Sequence, residues 1–221
     1  SDVLEDNGYD FINNRFGGNV DTGITSILLK ESSISGKPKK NMAVLEVDER
    51  SANRIYPYIK PNFLICTNLS RDSFKRNAHT EFIASILDKY IPDDTNLILN
   101  GDDLISSHLK PNNNKVCFGV SWDENEISVK DNIIKDIVVC PLCDSPLNYD
   151  FIRYNHIGRA HCSKCSYGTL PINYDVVERN YTDNTISLNT PSGIEKYKLI
   201  GNNITDVYNM TAAISFLRSF G

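Results

Sequence analysis

The sequence predicts an α/β fold in which a mostly parallel sheet is flanked by helices and carries a small cysteine-rich insertion. Between residues 41 and 120, short apolar runs alternate with stretches of helical periodicity. Strands that are apolar throughout, and not only at every second position, are typical of a parallel sheet covered on both faces. A chain of 221 residues is long enough for one substantial core, or for one core with a small second one.

Four strands are predicted in the first part of the chain, at residues 42–47, 62–67, 96–99 and 115–120. Helices are expected between them, at residues 50–59, 79–91 and 103–109. The helix at 79–91 is the most regular, because its apolar residues fall on one face and Pro92 ends it. This alternation of strand and helix favours parallel pairing of the strands.

The pattern changes after Ser121. Residues 123–130 are polar and indicate a loop or a hairpin. Residues 185–188 and 196–199 flank a turn-forming Thr-Pro-Ser-Gly segment and predict an antiparallel hairpin. Near the end of the chain, Val207, Met210, Ile214 and Leu217 are spaced as on a helix, with Thr205 or Asp206 as its N-cap.

Composition and charge exclude several classes of protein. The chain is 40% hydrophobic and 23% charged, with a net charge of −5. Proteins that bind nucleic acid or anionic membranes generally need a basic surface, so neither partner is expected. No apolar run approaches the roughly 20 residues of a membrane helix. The first residues have neither the basic nor the apolar part of a signal peptide, so we expect a cytoplasmic protein without membrane insertion.

Four of the six cysteines form two C-x-x-C pairs, which predict a structural zinc site. Cys140 and Cys143 are separated from Cys162 and Cys165 by 18 residues, the spacing of a zinc ribbon. An iron–sulfur cluster is the alternative, because both metals use thiolate ligands. The other cysteines, Cys66 and Cys117, lie in predicted strands and are interpreted as core residues. His156 and His161 lie between the cysteine pairs, and we expect them at the surface.

Polar side chains follow three of the predicted strands. Glu46 and Asp48 end the first, Asn68 follows the second, and an Asn-Gly-Asp-Asp segment at 100–103 follows the third. The carboxyl ends of parallel strands lie at one edge of a sheet, where ligands bind. Carboxylate and amide oxygens there would suit Mg²⁺ with a nucleotide phosphate, although the same residue types also cap helices. The chain contains no Gly-x-x-x-x-Gly-Lys-Ser/Thr phosphate loop.

Several segments together resemble the central domain of the Mur ligase family. They occur in the order expected of that domain, at residues 14–19, 45–49, 67–72, 100–103 and 208–213. The cysteine module, with residues 149–152 and 154–158 between its two pairs, is similar to the MurT-like branch of the family, the synthetase subunits of lipid II isoglutaminyl synthases. The resemblance implies a Mur ligase central, nucleotide-binding domain at residues 1–135 and 170–221, incomplete at its N-terminus. The zinc ribbon would be an insertion at residues 136–169.

The resemblance also implies an activity. Such enzymes use ATP and Mg²⁺ to activate the α-carboxylate of D-glutamate in lipid II as an acyl phosphate, which ammonia from a GatD-like glutaminase subunit then attacks. Glu46 corresponds to the family's Mg²⁺ ligand, Asn19 to an asparagine on the nucleotide side, and Asn209 to an asparagine of the adenine-side motif. Asn68 and Asp72 lie in the segment that follows the second strand, and they complete the expected nucleotide and Mg²⁺ site. The phosphate loop and a further domain with a catalytic aspartate lie outside this chain, so we expect no catalytic residue here and no activity of the isolated chain.

Three motifs depart from the family pattern. Ser73 and Lys75 replace residues of an Asp-Gln-x-Asp-Arg motif, Asp206 replaces the first asparagine of the adenine-side motif, and Phe16 replaces a small residue. A diverged relative is therefore one alternative, a non-catalytic interaction module in which the ribbon docks a partner. A nucleic-acid-binding ribbon is another, for which Arg153, Arg159 and Lys164 supply few basic residues in an acidic chain.

Overall fold

The structure is a computed structural model that describes residues 1–69, 80–124, 126 and 137–220. The chain divides into two compact units, Ser1–Lys60 with Lys89–Ile91, and Pro61–Asp88 with Pro92–Gly221. Within the described ranges, no helix is both long and apolar enough to cross a membrane.

The first unit contains short elements. They are helix α1 (Asp2–Asp6), strand β1 (Ile12–Asn13), helix α2 (Asp21–Lys30), strand β2 (Ala43–Val44), a 3-10 helix (Glu49–Ser51) and helix α3 (Ala52–Ile55). Strands β1 and β2 pair in parallel and form a two-stranded sheet. Ile12 and Ile24 are buried and contribute to the core of this unit.

The strand predicted at residues 42–47 is shorter than expected and belongs to the two-stranded sheet. It pairs with β1, whereas the other three strands predicted in this part of the chain lie together in the larger sheet. After Val44, the backbone of Glu46 pairs with a side chain and not with a neighbouring strand: its N–H donates to Asn14 Oδ1 at 2.9 Å, and its carbonyl accepts from Asn14 Nδ2 at 2.8 Å. The strand therefore ends where the amide side chain replaces the backbone partner.

The second unit is built on a six-stranded sheet. Its strands are β3 (Phe63–Cys66), β4 (Asn96–Asn100), β5 (Lys115–Val120), β8 (Tyr174–Asn180), β9 (Thr185–Thr190) and β10 (Gly193–Lys198). The spatial order is β10-β9-β8-β5-β4-β3. The four strands from β3 to β8 run parallel, whereas β9 and β10 add the antiparallel hairpin that the sequence predicts. The predicted mostly parallel sheet flanked by helices is confirmed.

Helices of the second unit differ in length from the predicted ones. Helix α4 (Thr80–Tyr90) agrees with the segment that ends before Pro92, and helix α5 (Ile204–Phe220) packs on the sheet through Val207, Tyr208 and Ala212. The helix predicted at 103–109 is a single 3-10 turn, Ser106–His108. The Asp103 carboxylate accepts from the N–H of Ile105 at 2.9 Å and so fixes the start of this turn.

Two strands form a separate hairpin in the cysteine-rich insertion, and one strand of the main sheet was not predicted. The hairpin consists of β6 (Leu147–Tyr154) and β7 (Ile157–Cys162), which pair antiparallel. The missed strand is β8. Its register shifts between Val176 and Glu178 at its pairing with β9, so its side chains do not alternate regularly between buried and exposed. A bulge of this kind hides the two-residue period by which strands are identified.

Helix α5 begins with a reciprocal cap. The N–H of Asp206 donates to Asn203 Oδ1 at 2.9 Å, and the N–H of Asn203 donates to Asp206 Oδ2 at 3.4 Å. Asn203 is therefore the capping residue, two residues before Thr205 and three before Asp206, the residues expected from the sequence. Gly201 precedes the cap with φ +94°, and a Cβ there would lie 2.1 Å from Asp206 Oδ2.

Replacing Asn203 with Ala removes the side-chain acceptor of this cap, and we expect the free energy of unfolding to fall by about 1 kcal/mol. Chemical denaturation of the two proteins measures the change. The neighbouring Asn202 is exposed, and Asn202→Ala serves as the control, with an expected change below about 0.5 kcal/mol. Equal effects of the two substitutions would contradict the assigned cap.

Candidate functional site

The four cysteines of the C-x-x-C pairs converge on one point. Their sulfur atoms all lie within 4.8 Å of one another. Cys140 and Cys165 are 3.4 Å apart, Cys143 and Cys162 are 3.4 Å apart, and Cys143 and Cys165 are 3.6 Å apart. Ligands about 2.3 Å from a tetrahedral metal are about 3.8 Å from each other, so the cluster has the size of a single-metal site.

Backbone turns hold the thiols in this arrangement. In the first pair, the N–H of Leu142 donates to Cys140 Sγ at 3.4 Å. In the second, Cys162 Sγ accepts from the N–H groups of Lys164 at 3.3 Å and Cys165 at 3.4 Å. These bonds arise because each C-x-x-C folds back on its first cysteine, which directs both sulfur atoms to the same side. The spacing seen in the sequence thus produces the cluster locally.

Proton affinities within the cluster are uneven. Hydrogen bonds from the side chain and backbone of Ser145 lower the pKa of Cys143 to about 6. At Cys165 the backbone N–H of Tyr167 favours the thiolate, but the hydrogen bond with Cys140 and burial outweigh it and raise the pKa to about 12. Thiolates this close repel each other, and a bound cation would relieve that repulsion. The donor set therefore fits a thiolate-binding metal ion such as zinc.

The ribbon packs on the segment that follows β4. Its small core joins Cys140, Leu147 and Cys162 to Leu104 of that segment. Tyr167 donates its hydroxyl to the Leu104 carbonyl at 3.1 Å and stacks on His108, with ring centroids 4.3 Å apart. Such a contact orients the ribbon on the sheet.

In the first unit, the Glu46 side chain is exposed and its carboxylate is oriented by a neighbour. Asn19 Nδ2 donates to Glu46 Oε1 at 3.1 Å, and the buried Asn14 holds the backbone of Glu46 through the two hydrogen bonds described above. Asp48, in contrast, caps the 3-10 helix and forms an ion pair with Arg50, which lowers the pKa of Asp48. Of these two carboxylates, Glu46 is therefore the more accessible to a cation, and its oxygen atoms are ligands that a hard cation prefers.

The acidic side chains that follow β4 do not face a ligand at the carboxyl edge of the sheet. Asp102 and Asp103 are completely buried. Asp102 forms an ion pair with Arg159 at 2.8 Å and accepts from the hydroxyl of Tyr208 at 2.7 Å. This pair lies over Gly119, where a Cβ would be 2.9 Å from Asp102 Oδ1. The expected contribution of these carboxylates to a Mg²⁺ site is wrong, because buried charges require fixed partners.

His156 is buried, contrary to the expectation that it lies at the surface. Its Nε2 is 2.9 Å from Asp103 Oδ1. Burial raises the pKa of Asp103, but the hydrogen bond with His156 and those from nearby groups outweigh it, so the pKa lies below its usual value. This carboxylate therefore stabilises the fold above about pH 4, its unfolded pKa, and the contribution is lost as the pH falls through the folded pKa. His161 is exposed, as expected.

Comparisons with known proteins show what the chain is similar to. No family model matches the chain. It is 30% identical over 221 residues to the lipid II isoglutaminyl synthase (glutamine-hydrolyzing) subunit MurT of Staphylococcus aureus (strain COL). The matched region covers 99% of this chain and 48% of that protein. It is 29% identical over 214 residues to the MurT subunit of Streptococcus pneumoniae (strain ATCC BAA-255 / R6), which covers 95% of this chain and 46% of that protein. The chain is MurT-like. It spans about half the length of the curated relatives it matches.

Solved structures agree on the fold. A pseudomurein peptide ligase type C from Methanothermus fervidus matches with a TM-score of 0.62 at 21% identity, over 81% of this chain and 36% of that one. MurF from Acinetobacter baumannii matches with a TM-score of 0.59 at 13% identity, over 99% of this chain and 38% of that one. The MurT-like chain therefore has a Mur ligase fold that includes a four-cysteine cluster.

The remaining predicted site residues of the MurT-like chain lie in the second unit or outside the described residues. Asn68 follows β3 and is partly buried, and Asn209 is exposed on α5. Asp72, like Ser73 and Lys75, lies outside the described residues. Their assignment to a nucleotide and Mg²⁺ site stays a prediction. The structure adds Asn14, which sequence reasoning included in a motif but did not identify as the residue that holds Glu46.

Two arginines named as candidate nucleic-acid contacts in the MurT-like chain have other partners. Arg153 Nε forms an ion pair with Glu126 at 2.8 Å, and its guanidinium donates to the carbonyl of Val120 at 3.2 Å. Arg159 bridges Asp102 and Asp175, each at 2.8 Å. Because these charges are neutralised inside the fold, they are not available to a phosphate backbone.

We expect the MurT-like chain to bind one zinc ion through Cys140, Cys143, Cys162 and Cys165. Replacing Cys162 with Ser should lower the bound zinc by at least about half and unfold the ribbon, because metal binding and folding are coupled in such modules. Elemental analysis and circular dichroism measure both effects. Cys66→Ser, which changes a buried thiol outside the cluster, should keep its zinc. Less than about half an equivalent of zinc in metal-replete wild-type protein would contradict the assignment, and bound iron would favour the cluster alternative.

Proposed function

We propose that this chain is part of an ATP-dependent carbon–nitrogen ligase that amidates the α-carboxylate of D-glutamate in lipid II. The observation that carries the proposal is the similarity to MurT subunits over nearly the whole chain. Those relatives are named as subunits of a glutamine-hydrolysing lipid II isoglutaminyl synthase. The Mur ligase fold and the orientation of Glu46 support the same conclusion.

The proposed reaction has two steps. First, a carboxylate oxygen of the substrate attacks the γ-phosphorus of ATP, which forms an acyl phosphate and releases ADP. Ammonia, supplied by a GatD-like glutaminase subunit that hydrolyses glutamine, then attacks the acyl carbon. Inorganic phosphate leaves, and the nitrogen loses a proton to give the amide. The relatives' names, which describe one subunit of a glutamine-hydrolysing enzyme, support a partner of this kind.

In this scheme, Glu46 is the Mg²⁺ ligand of the chain. A bound Mg²⁺ would offset the charge that develops on the β- and γ-phosphates. The exposed Glu46 carboxylate fits such a cation, and the hydrogen bond from Asn19 fixes the orientation of the carboxylate. Asn14 determines where the Glu46 backbone lies, so the position of the carboxylate depends on an amide side chain that is itself buried.

The ribbon has a structural role in this proposal. Four protein thiols occupy all positions of a tetrahedral zinc ion, which leaves none for water or substrate. The phosphate-binding loop is absent from this chain, which spans about half the length of its relatives. We therefore propose that the isolated chain neither turns over ATP nor binds it tightly, and that the other parts of the protein supply the phosphate cradle and the catalytic aspartate.

The test of Glu46 uses the full-length protein with its glutaminase partner. Replacing Glu46 with Gln preserves size but removes the charge that binds Mg²⁺, and turnover should fall at least about a hundredfold, the scale expected for loss of a key electrostatic group. Zinc content and folding should not change. Glu49→Gln is the control, since Glu49 lies three residues away and begins the 3-10 helix. It should retain near-normal turnover.

Near-normal turnover of the Glu46→Gln enzyme, with stability lower by about 1 kcal/mol, would show that this carboxylate only caps local structure. A wild-type protein that neither binds nor hydrolyses ATP would instead favour the alternative, a non-catalytic zinc-ribbon interaction module on a Mur ligase scaffold. The two outcomes differ because only the first leaves the enzymatic reaction intact.

A further inference from the structure

The ribbon hairpin reaches from the cysteine cluster into the core of the sheet. At one end, Cys162 pairs with Leu147 next to the metal site. At the other, the turn at Asn155 and His156 joins β6 to β7, and Ile157 is completely buried in the core of the main sheet. Next to the turn the two strands approach closely, because a Cβ at Gly158 would lie 2.0 Å from the carbonyl oxygen of Phe151. One hairpin thus connects the cysteine cluster with the core of the main sheet.

The hairpin turn is fixed to the end of β4. The N–H of Gly158 donates to the Asp102 carbonyl at 2.7 Å, and His156 Nε2 is 2.9 Å from Asp103 Oδ1. Both members of the His156–Asp103 pair are buried. Breaking this pair would leave a buried charge without its partner, which folded proteins rarely tolerate.

The other oxygen of Asp103 holds the loop after β3. Asp103 Oδ2 accepts from the N–H of Leu69 at 2.8 Å, and Leu69 is buried. On the other side of the loop, Asn100 Nδ2 donates to the Thr67 carbonyl at 2.9 Å. Asn68, one of the residues proposed to bind nucleotide or Mg²⁺, lies between these two anchored positions.

We propose that the ribbon positions the 67–69 loop through the His156–Asp103 pair. In this arrangement, His156 and Asp103 are positioning residues: neither contacts substrate, and both act through the backbone of the residues around Asn68. The metal stabilises the hairpin, the hairpin places His156, and Asp103 transmits that position to Leu69. The consequence for ATP rests on the proposed function, whereas the coupling between the ribbon and the loop does not.

Residue-resolved hydrogen exchange in zinc-loaded full-length protein tests the coupling. In the His156→Leu variant, the Leu69 amide should exchange at least about tenfold faster, because the Asp103 carboxylate loses its side-chain partner and is held only by the N–H groups of Ile105 and Ser106. Amides of β4 and β5 should keep their protection, and zinc content should not change. His161→Leu is the matched control, since His161 is an exposed histidine of the same hairpin, and it should leave Leu69 unaffected.

A conservative substitution and zinc removal complete the experiment. His156→Gln places an amide nitrogen near the former Nε2 and should restore most of the Leu69 protection. Stripping zinc from wild-type protein with a chelator should also accelerate Leu69 exchange, and this measurement decides the question if the histidine variants do not fold. Unchanged Leu69 exchange in His156→Leu or in zinc-stripped protein would overturn the proposal, as would equal loss of protection throughout β4 and β5.

The same variants separate this inference from the proposed function. If both are right, His156→Leu raises the KM for ATP more than it lowers kcat, and His156→Gln restores the KM. If only the coupling is right, Leu69 exchange changes and the kinetics of ATP do not. If wild-type protein shows no ATP-dependent reaction, the exchange experiment still gives its result.

Discussion

Two adjacent carboxylates at the end of β4, Asp102 and Asp103, are completely buried, and much of the second unit is organised by the partners they require. Asp102 is paired with Arg159 and accepts from Tyr208, while Asp103 is paired with His156. Removing one partner of a buried ion pair typically costs about 3–5 kcal/mol, because the remaining charge is left without compensation. The ribbon hairpin and helix α5 therefore cannot leave the sheet without a large penalty.

These partners also explain why the ribbon is not an independent module. A four-cysteine ribbon needs only its metal and a few apolar residues to fold. Here the hairpin in addition donates His156 and Arg159 to the sheet and buries Ile157 in its core. His156 lies in the turn and Arg159 lies three residues before Cys162, so the two ends of the hairpin have different partners. One end contains the four-cysteine cluster, and the other end supplies partners to Asp102 and Asp103 after β4.

Sequence reasoning succeeded where the determining interactions are local. The two C-x-x-C pairs define the cluster because each pair folds as a short turn, and the β9–β10 hairpin follows from its turn residues. The roles of Asp102 and Asp103 were not predicted. The sequence pattern of an acidic segment after a strand is the same whether the segment caps a helix, binds Mg²⁺ or pairs with distant cations. Their partners Arg159 and His156 lie 57 and 53 residues further along the chain. The early end of β2 was not predicted for the same reason, because the side chain that pairs with the Glu46 backbone belongs to Asn14, 32 residues away.

The departure from the family pattern at Asp206 has a structural explanation. Asp206 is the third residue of α5, where its carboxylate accepts from the N–H of Asn203 and lies near the positive end of the helix dipole. A carboxylate at this position stabilises the helix start, so the change from asparagine does not by itself indicate loss of nucleotide binding. Asn209 is one turn further along, exposed on the same helix. The cap fixes the start of α5 and therefore the position from which Asn209 projects, whichever of the two residues stands at 206.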